Sequence, residues 1–284
     1  MKKIIILTLA VLISGCKSGS VVDNYERKNK PLEFSVSKSA SGFESNTLFT
    51  LENENDNPTV ILMHSCAGIH PGSVGDLKRW KNLLIDNGFN VLVMNHLSSR
   101  GVSKNCSGKN RPITMTRLVR DVYDATDFLK DQPGVDSSRI FTLGFSLGAM
   151  TGGSAASALQ YRYQGDSKPR PRAVAGLYGG CHYGGPTYYL DYDTDLPVLW
   201  LMGERDGEAP VQGCTDVSKA LLDKGHLTYH VYPEATHCWD CRGLDGFSKV
   251  AANGVRVTYR YSDSYTRDSE KRVLEFFNSF PSKN

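Results

Sequence analysis

Gly144-Phe145-Ser146-Leu147-Gly148 sets a serine between two glycines, directly after an apolar run of strand length, RIFTLGF (139–145), and directly before a segment of helical character, LGAMTGGSAASAL (147–159). A strand that reverses sharply into a helix holds the intervening residue in strained geometry and lifts its hydroxyl clear of the sheet, which glycine neighbours permit. A serine hydroxyl is a poor nucleophile until a base takes its proton, so the chain must also supply a histidine and a group to orient it. Of the seven histidines, His226 and His230 fall inside a strand pattern and His182 precedes the acid. His237, in the loop PEATHCW, is therefore the expected base. Asp206 follows the run PVLWLMG in the loop GERDGEAP and is the expected orienting carboxylate, with Glu204 and Glu208 as alternatives in the same loop. The chemistry of such a set is acyl transfer, with Ser146 attacking a carbonyl carbon. The developing oxyanion needs donors. The backbone N–H of Leu147 is one. The turn His64-Ser65-Cys66-Ala67-Gly68, after the run PTVILMH, offers the other through Cys66 or, failing that, Ser65.

These residues need a frame that brings strand ends to one edge. Apolar runs of strand length alternate with segments of helical period, the pattern of a parallel sheet covered on both faces. Strands are expected at 58–64, 89–95, 139–145, 172–179, 197–203 and 226–232, and helices at 74–87, 114–131, 147–160, 211–224 and 266–280. Two earlier strands, near 32–38 and 47–52, have no crossover helix between them and are expected to pair antiparallel at one edge. Together these make one doubly wound α/β domain over 32–284. Residues 96–113 form a long polar loop, and 246–262 read as an added hairpin turning at Asn253-Gly254. Both are placed to shape a substrate site. Arg100, Lys104, Lys109 and Arg111 on the long loop are candidates for attracting a substrate carboxylate, and Trp239 and Tyr183 for lining an apolar pocket.

The run VILMHSCAGIHPG, the loop SSRGVSKNC, the elbow GFSLG, MGERDGEAP and YPEATHCW together resemble the dienelactone hydrolase family of α/β-hydrolases, over roughly residues 55 to 280. The resemblance implies an α/β-hydrolase fold, hydrolysis of a small-molecule ester through a Ser146-His237-Asp206 triad and an acyl-enzyme, and no metal or organic cofactor. Two positions depart from the family pattern. Ser146 stands where the founding enzymes carry a cysteine, and Ser65 where they carry a glutamate, so dienelactone itself is not the implied substrate. Strands in hydrolase order would put Cys66 beside Cys106 and Cys181 beside Cys214 at the same sheet edge. Cys238 and Cys241 would then remain as a local pair next to His237. An alternative for Cys238-Trp239-Asp240-Cys241 is a redox motif or, with His237 and His182, a zinc site.

The front of the chain reads separately. Met1-Lys2-Lys3 is basic, residues 4–13 are apolar apart from Thr8, and Ile13-Ser14-Gly15-Cys16 follows. Ten residues are too few to span a bilayer, which takes about 20, so 1–15 is expected to be an export signal. The ISGC stretch resembles a bacterial lipoprotein signal, with Cys16 as the lipid-modified first residue. Lys17 rather than aspartate favours the outer membrane if the cell is Gram-negative. Residues 16–31 then form a polar lipidated tether. Cleavage removes Lys2 and Lys3 and leaves 31 basic against 30 acidic residues. With that balance and no polybasic run, nothing favours a nucleic-acid partner. Two other functions fit the same sequence: a non-catalytic envelope-binding lipoprotein that keeps the hydrolase fold without turnover, and a peptidase or acyltransferase with the same triad.

Overall fold

The computed structural model describes residues 19–39, 41–53, 55–106, 111–164, 167–182 and 188–283. The signal segment, Cys16, Lys109 and Tyr183 lie outside them. In chain order the elements are α1 (Gly19–Asn29), β1 (Ser35–Ser37), β2 (Thr47–Phe49), β3 (Asn57–Met63), α2 (Val74–Asp86), β4 (Asn90–Met94), α3 (Met115–Lys130) and β5 (Val135–Phe145). There follow α4 (Leu147–Ala155), α5 (Ala158–Gln164), β6 (Ala173–Leu177), β7 (Val198–Gly203), α6 (Thr215–Asp223), β8 (Leu227–Tyr232), β9 (Ser248–Val250), β10 (Arg256–Thr258) and α7 (Asp263–Asn278). Among the described residues no helix is long and apolar enough to cross a membrane.

Eight strands form one mostly parallel sheet in the order β1-β2-β4-β3-β5-β6-β7-β8. Alternation along β3 shows why it is covered twice. Val60 and Leu62 join the cluster under α2 and α7, with Trp80, Leu84, Val273 and Phe277. Ile61 and Met63 face α3, with Val119, Val122 and Leu129. Successive side chains of a strand point to opposite faces, so a strand buried on both must be apolar throughout. Capping helps fix two helix starts: Thr114 accepts from Arg117 N–H and Ser262 from Tyr265 N–H.

Several expectations are corrected. The antiparallel step lies between β2 and β4, whereas β1 runs parallel to β2. The strands are only three residues long, so the connection between them spans the short return without a helix. The helix expected over 147–160 is two helices. Ser157 interrupts it: its Oγ caps Gln160 N–H at 3.1 Å and bonds Asp193 at 3.1 Å. Residues 19–29 of the expected tether are helical, and the carbonyl of Lys30 accepts from the Arg100 guanidinium at 2.9 and 2.6 Å. The hairpin stands as expected, with β9 and β10 antiparallel and Gly254 at φ +83°.

Candidate active site

Ser146 sits between β5 and α4 at φ 52°, ψ −108°. The left-handed value is costly for a residue with a side chain. Its neighbours explain how the turn closes. A Cβ on Gly144 would lie 2.2 Å from the backbone of Gly148, and one on Gly148 would lie 2.6 Å from the carbonyl oxygen of Met63. Only glycine lets helix and strand approach so closely. The Ser146 N–H donates to Leu177 O at 3.0 Å, tying the elbow to β6.

The three expected residues meet at this edge from three strand ends. The Ser146 hydroxyl lies 3.1 Å from His237 Nε2, and His237 Nδ1–H donates to Asp206 Oδ2 at 2.7 Å. Asp206 Oδ1 accepts from the N–H groups of Glu208 at 2.8 Å and Ala209 at 2.9 Å. All three residues are buried. Burial disfavours the imidazolium of His237, yet the charge and hydrogen bond of Asp206, with Glu208 behind it, outweigh that and raise its pKa above 6.5. Of the alternatives, Glu204 accepts from the N–H of Glu234, and Glu208 is taken up by Tyr259 and Lys249. Asp206 is the carboxylate on the histidine.

The turn after β3 is braced by a residue that sequence reasoning passed over. His64 is buried, and its Nδ1–H donates to Ser65 O at 2.6 Å while Nε2 accepts the His96 N–H at 3.2 Å. Burial first, then the neighbouring His96, lowers its pKa to about 4, so the ring is neutral and this tautomer is fixed. In a trans peptide the N–H opposes the preceding C=O. Holding the Ser65 carbonyl therefore also fixes the direction of the Cys66 N–H. Leu147 opens α4, so its N–H has no carbonyl partner within the helix.

A cleft of about 840 Å³ opens on Ser146 and His237, lined among others by Ser65, Cys66 and Lys104 and by Phe247, Val250 and Tyr259 of the hairpin segment. The hairpin thus forms a wall. Asp76 of α2 also faces the cleft, and burial together with Asp240 pushes its carboxyl up to about 6. Tyr178 was not singled out from sequence. It follows β6 at φ 43°, packs its ring 4.9 Å from that of His237 and donates its hydroxyl to Asp240 at 3.0 Å. In the sequence it lies inside the run expected as a strand, 172–179, so nothing there marked it; the structure ends β6 at Leu177, one residue before it.

Cys66 bonds Cys106, Cys181 bonds Cys214 and Cys238 bonds Cys241. Cys238, Asp240 and Cys241 lie within 4.8 Å of one another. Their donors are nevertheless committed: the sulfurs are joined, and Asp240 accepts from Trp80, Arg79 and Tyr178. His182 instead packs on Tyr188. Two other expectations fail. Arg100 is buried and paired with Asp121 through both carboxylate oxygens at 2.7 Å, so it does not face substrate. Trp239 is fully buried between Tyr178 and Tyr232. Large aromatics are more often packing than lining. Arg111 lies over the Tyr189 ring, while Lys104 does line the cleft.

The fold has many solved counterparts. A candidate dienelactone hydrolase from Klebsiella pneumoniae subsp. pneumoniae is 19% identical, with a TM-score of 0.59 over 81% of this chain and 91% of that one. A dienelactone hydrolase-like promiscuous phosphotriesterase from metagenomic libraries is 16% identical, with a TM-score of 0.54 over 82% and 90%. A thermophilic esterase from the Planctomycetes species Thermogutta terrifontis, with butyrate bound, is 10% identical, with a TM-score of 0.59 over 82% and 87%. These likenesses establish the fold as that of the α/β-hydrolases. A sequence search of curated proteins found no match. The sequence profile of the dienelactone hydrolase family matches residues 46–280, and by that match over most of its length the chain belongs to the dienelactone hydrolase family.

Proposed function

We propose that the protein is a serine hydrolase of small carboxylic esters. The observation that carries this reading is the chain of hydrogen bonds from Ser146 through His237 to Asp206, opening on a cleft. Ser146 Oγ attacks the acyl carbon as His237 Nε2 takes its proton, and Asp206 stabilises the imidazolium. The N–H groups of Leu147 and Cys66 receive the oxyanion. Collapse expels the alcohol, protonated by His237, and leaves an acyl-Ser146 ester. Water, deprotonated by His237, then releases the acid. The neutral imidazole is the base, so kcat/KM is expected to fall on the acid side with a midpoint above pH 6.5.

The decisive test is fluorophosphonate labelling of residues 18–284 with native disulfides, read by intact mass and followed by an ester panel. One label per chain is expected, absent in Ser146→Ala and His237→Ala, with ester turnover down about 10⁴-fold or more in both. A folded wild type that takes no label would sink the proposal. We further propose that the protein is exported and anchored in the cell envelope through a lipid on Cys16. Three disulfides suit an oxidising compartment, and the apolar segment ending in ISGC is the signal that would deliver the chain there.

A further inference from the structure

The carboxylate of Glu208 is committed twice to the hairpin: Tyr259 Oη–H donates to Oε1 at 2.6 Å, and Lys249 Nζ lies 3.0 Å from Oε2. The N–H of the same residue is one of two donors that hold Asp206 Oδ1. Its side chain is anchored on one element while its main chain orients the carboxylate next to His237. The hairpin grips both loops that carry the pair. On the acid side Asn253 Nδ2 donates to Gly207 O at 2.8 Å. On the histidine side the Arg260 N–H donates to Thr236 Oγ1 at 2.9 Å and the Ser262 N–H to Trp239 O at 2.8 Å. The buried ring of Tyr259 also packs against His237, with centroids 5.7 Å apart. A surface wall would need none of these bonds.

Resting on the hydrolase reading, we propose that Glu208 is a positioning residue for the Asp206–His237 pair and that the β9–β10 hairpin is the strap that fixes it. His237 is faced by Asp206 and Glu208 from the acid loop, Lys249 and Tyr259 from the hairpin, Tyr178 after β6 and Ser146 after β5. Glu208 favours its protonated form and Lys249 opposes it. Glu208 and Lys249 of the strap therefore act on the histidine with opposite sign, as their charges require, while the alignment they maintain is read in kcat.

The test compares Glu208→Gln, Lys249→Met and Tyr259→Phe, using the pH profile of kcat/KM on a p-nitrophenyl ester and NMR titration of the His237 imidazole. Glutamine keeps an oxygen for Tyr259 and removes the charge. The acid limb is expected to move to lower pH in Glu208→Gln and to higher pH in Lys249→Met, each by about half a pH unit. Tyr259→Phe should lower kcat about tenfold with KM little changed, because the fault is in the alignment of base and nucleophile. Shifts that are absent or of the same sign, or full kcat in Tyr259→Phe, would overturn the proposal. Should Glu208→Gln fail to fold, Lys249→Met at a partly exposed ion pair still decides the sign. Failure of the hydrolase reading is seen separately, as a Ser146 that takes no fluorophosphonate, and the NMR titration reports on His237 even then.

Discussion

His64 stands outside the hydrogen-bond chain from Ser146 to Asp206, yet its state bears on how the molecule meets acid. In the unfolded chain its imidazole takes up a proton below about pH 6.5, whereas the buried ring resists until about pH 4. Between those values the unfolded state binds more protons, so stability falls as pH falls and levels off beneath pH 4. The interval corresponds to up to about 3 kcal/mol. Urea unfolding at pH 7, 5.5 and 4 is expected to show a steeper decline in wild type than in His64→Gln, and parallel declines would count against the assignment. This residue was hidden from sequence reasoning because a histidine after a strand looks the same whether it donates to a carbonyl or faces solvent. Ser146, Asp206 and His237 were legible for a different reason. Each is tied to a strand end, and their order along the chain leaves few assignments. Tyr178 and Glu208 act through contacts with loops more than 50 residues away, which no local pattern records.

Among the elements, the turn after β3 and the loop after β4 are the pair whose separation matters most to the site. The Cys66–Cys106 bond closes 40 residues, which by the loop-closure argument stabilises by about 4 kcal/mol. It also clamps the turn that presents the Cys66 N–H, helped by Asn105 N–H donating to Cys66 O at 2.7 Å. Replacing both cysteines by serine should cost stability of that order by urea unfolding, and it should also lower kcat on a short ester. Loss of stability with kcat intact would separate the staple from the oxyanion turn. Most strand positions were readable from the sequence, because the central strands β3, β4, β6 and β7 are buried on both faces and largely apolar. The direction of β1 was not. Three-residue strands carry too little pattern to fix a partner, and the sense of pairing depends on where the 38–46 connection travels.

At the scale of the whole molecule, the proposed anchor divides the chain into a part that locates it and a part that reacts. If Cys16 carries the lipid, Cys16→Ser should leave the protein out of the membrane fraction and remove incorporation of an alkyne fatty acid, with ester turnover per molecule unchanged. A Cys16→Ser protein still acylated and still sedimenting with membranes would refute the anchor. The triad itself joins distant parts of the sequence. His237 bonds Asp206 across 31 residues and Ser146 across 91. Closing such loops costs chain entropy before any contact repays it, so non-local arrangements form slowly. On the proposed hydrolase reading, Ser146 thus has no working base until β5, β7 and β8 stand in place, with β6 between β5 and β7. If Ser146 is the nucleophile, a partly folded chain can hold every helix and still be chemically inert, so regained turnover would mark the completion of the sheet.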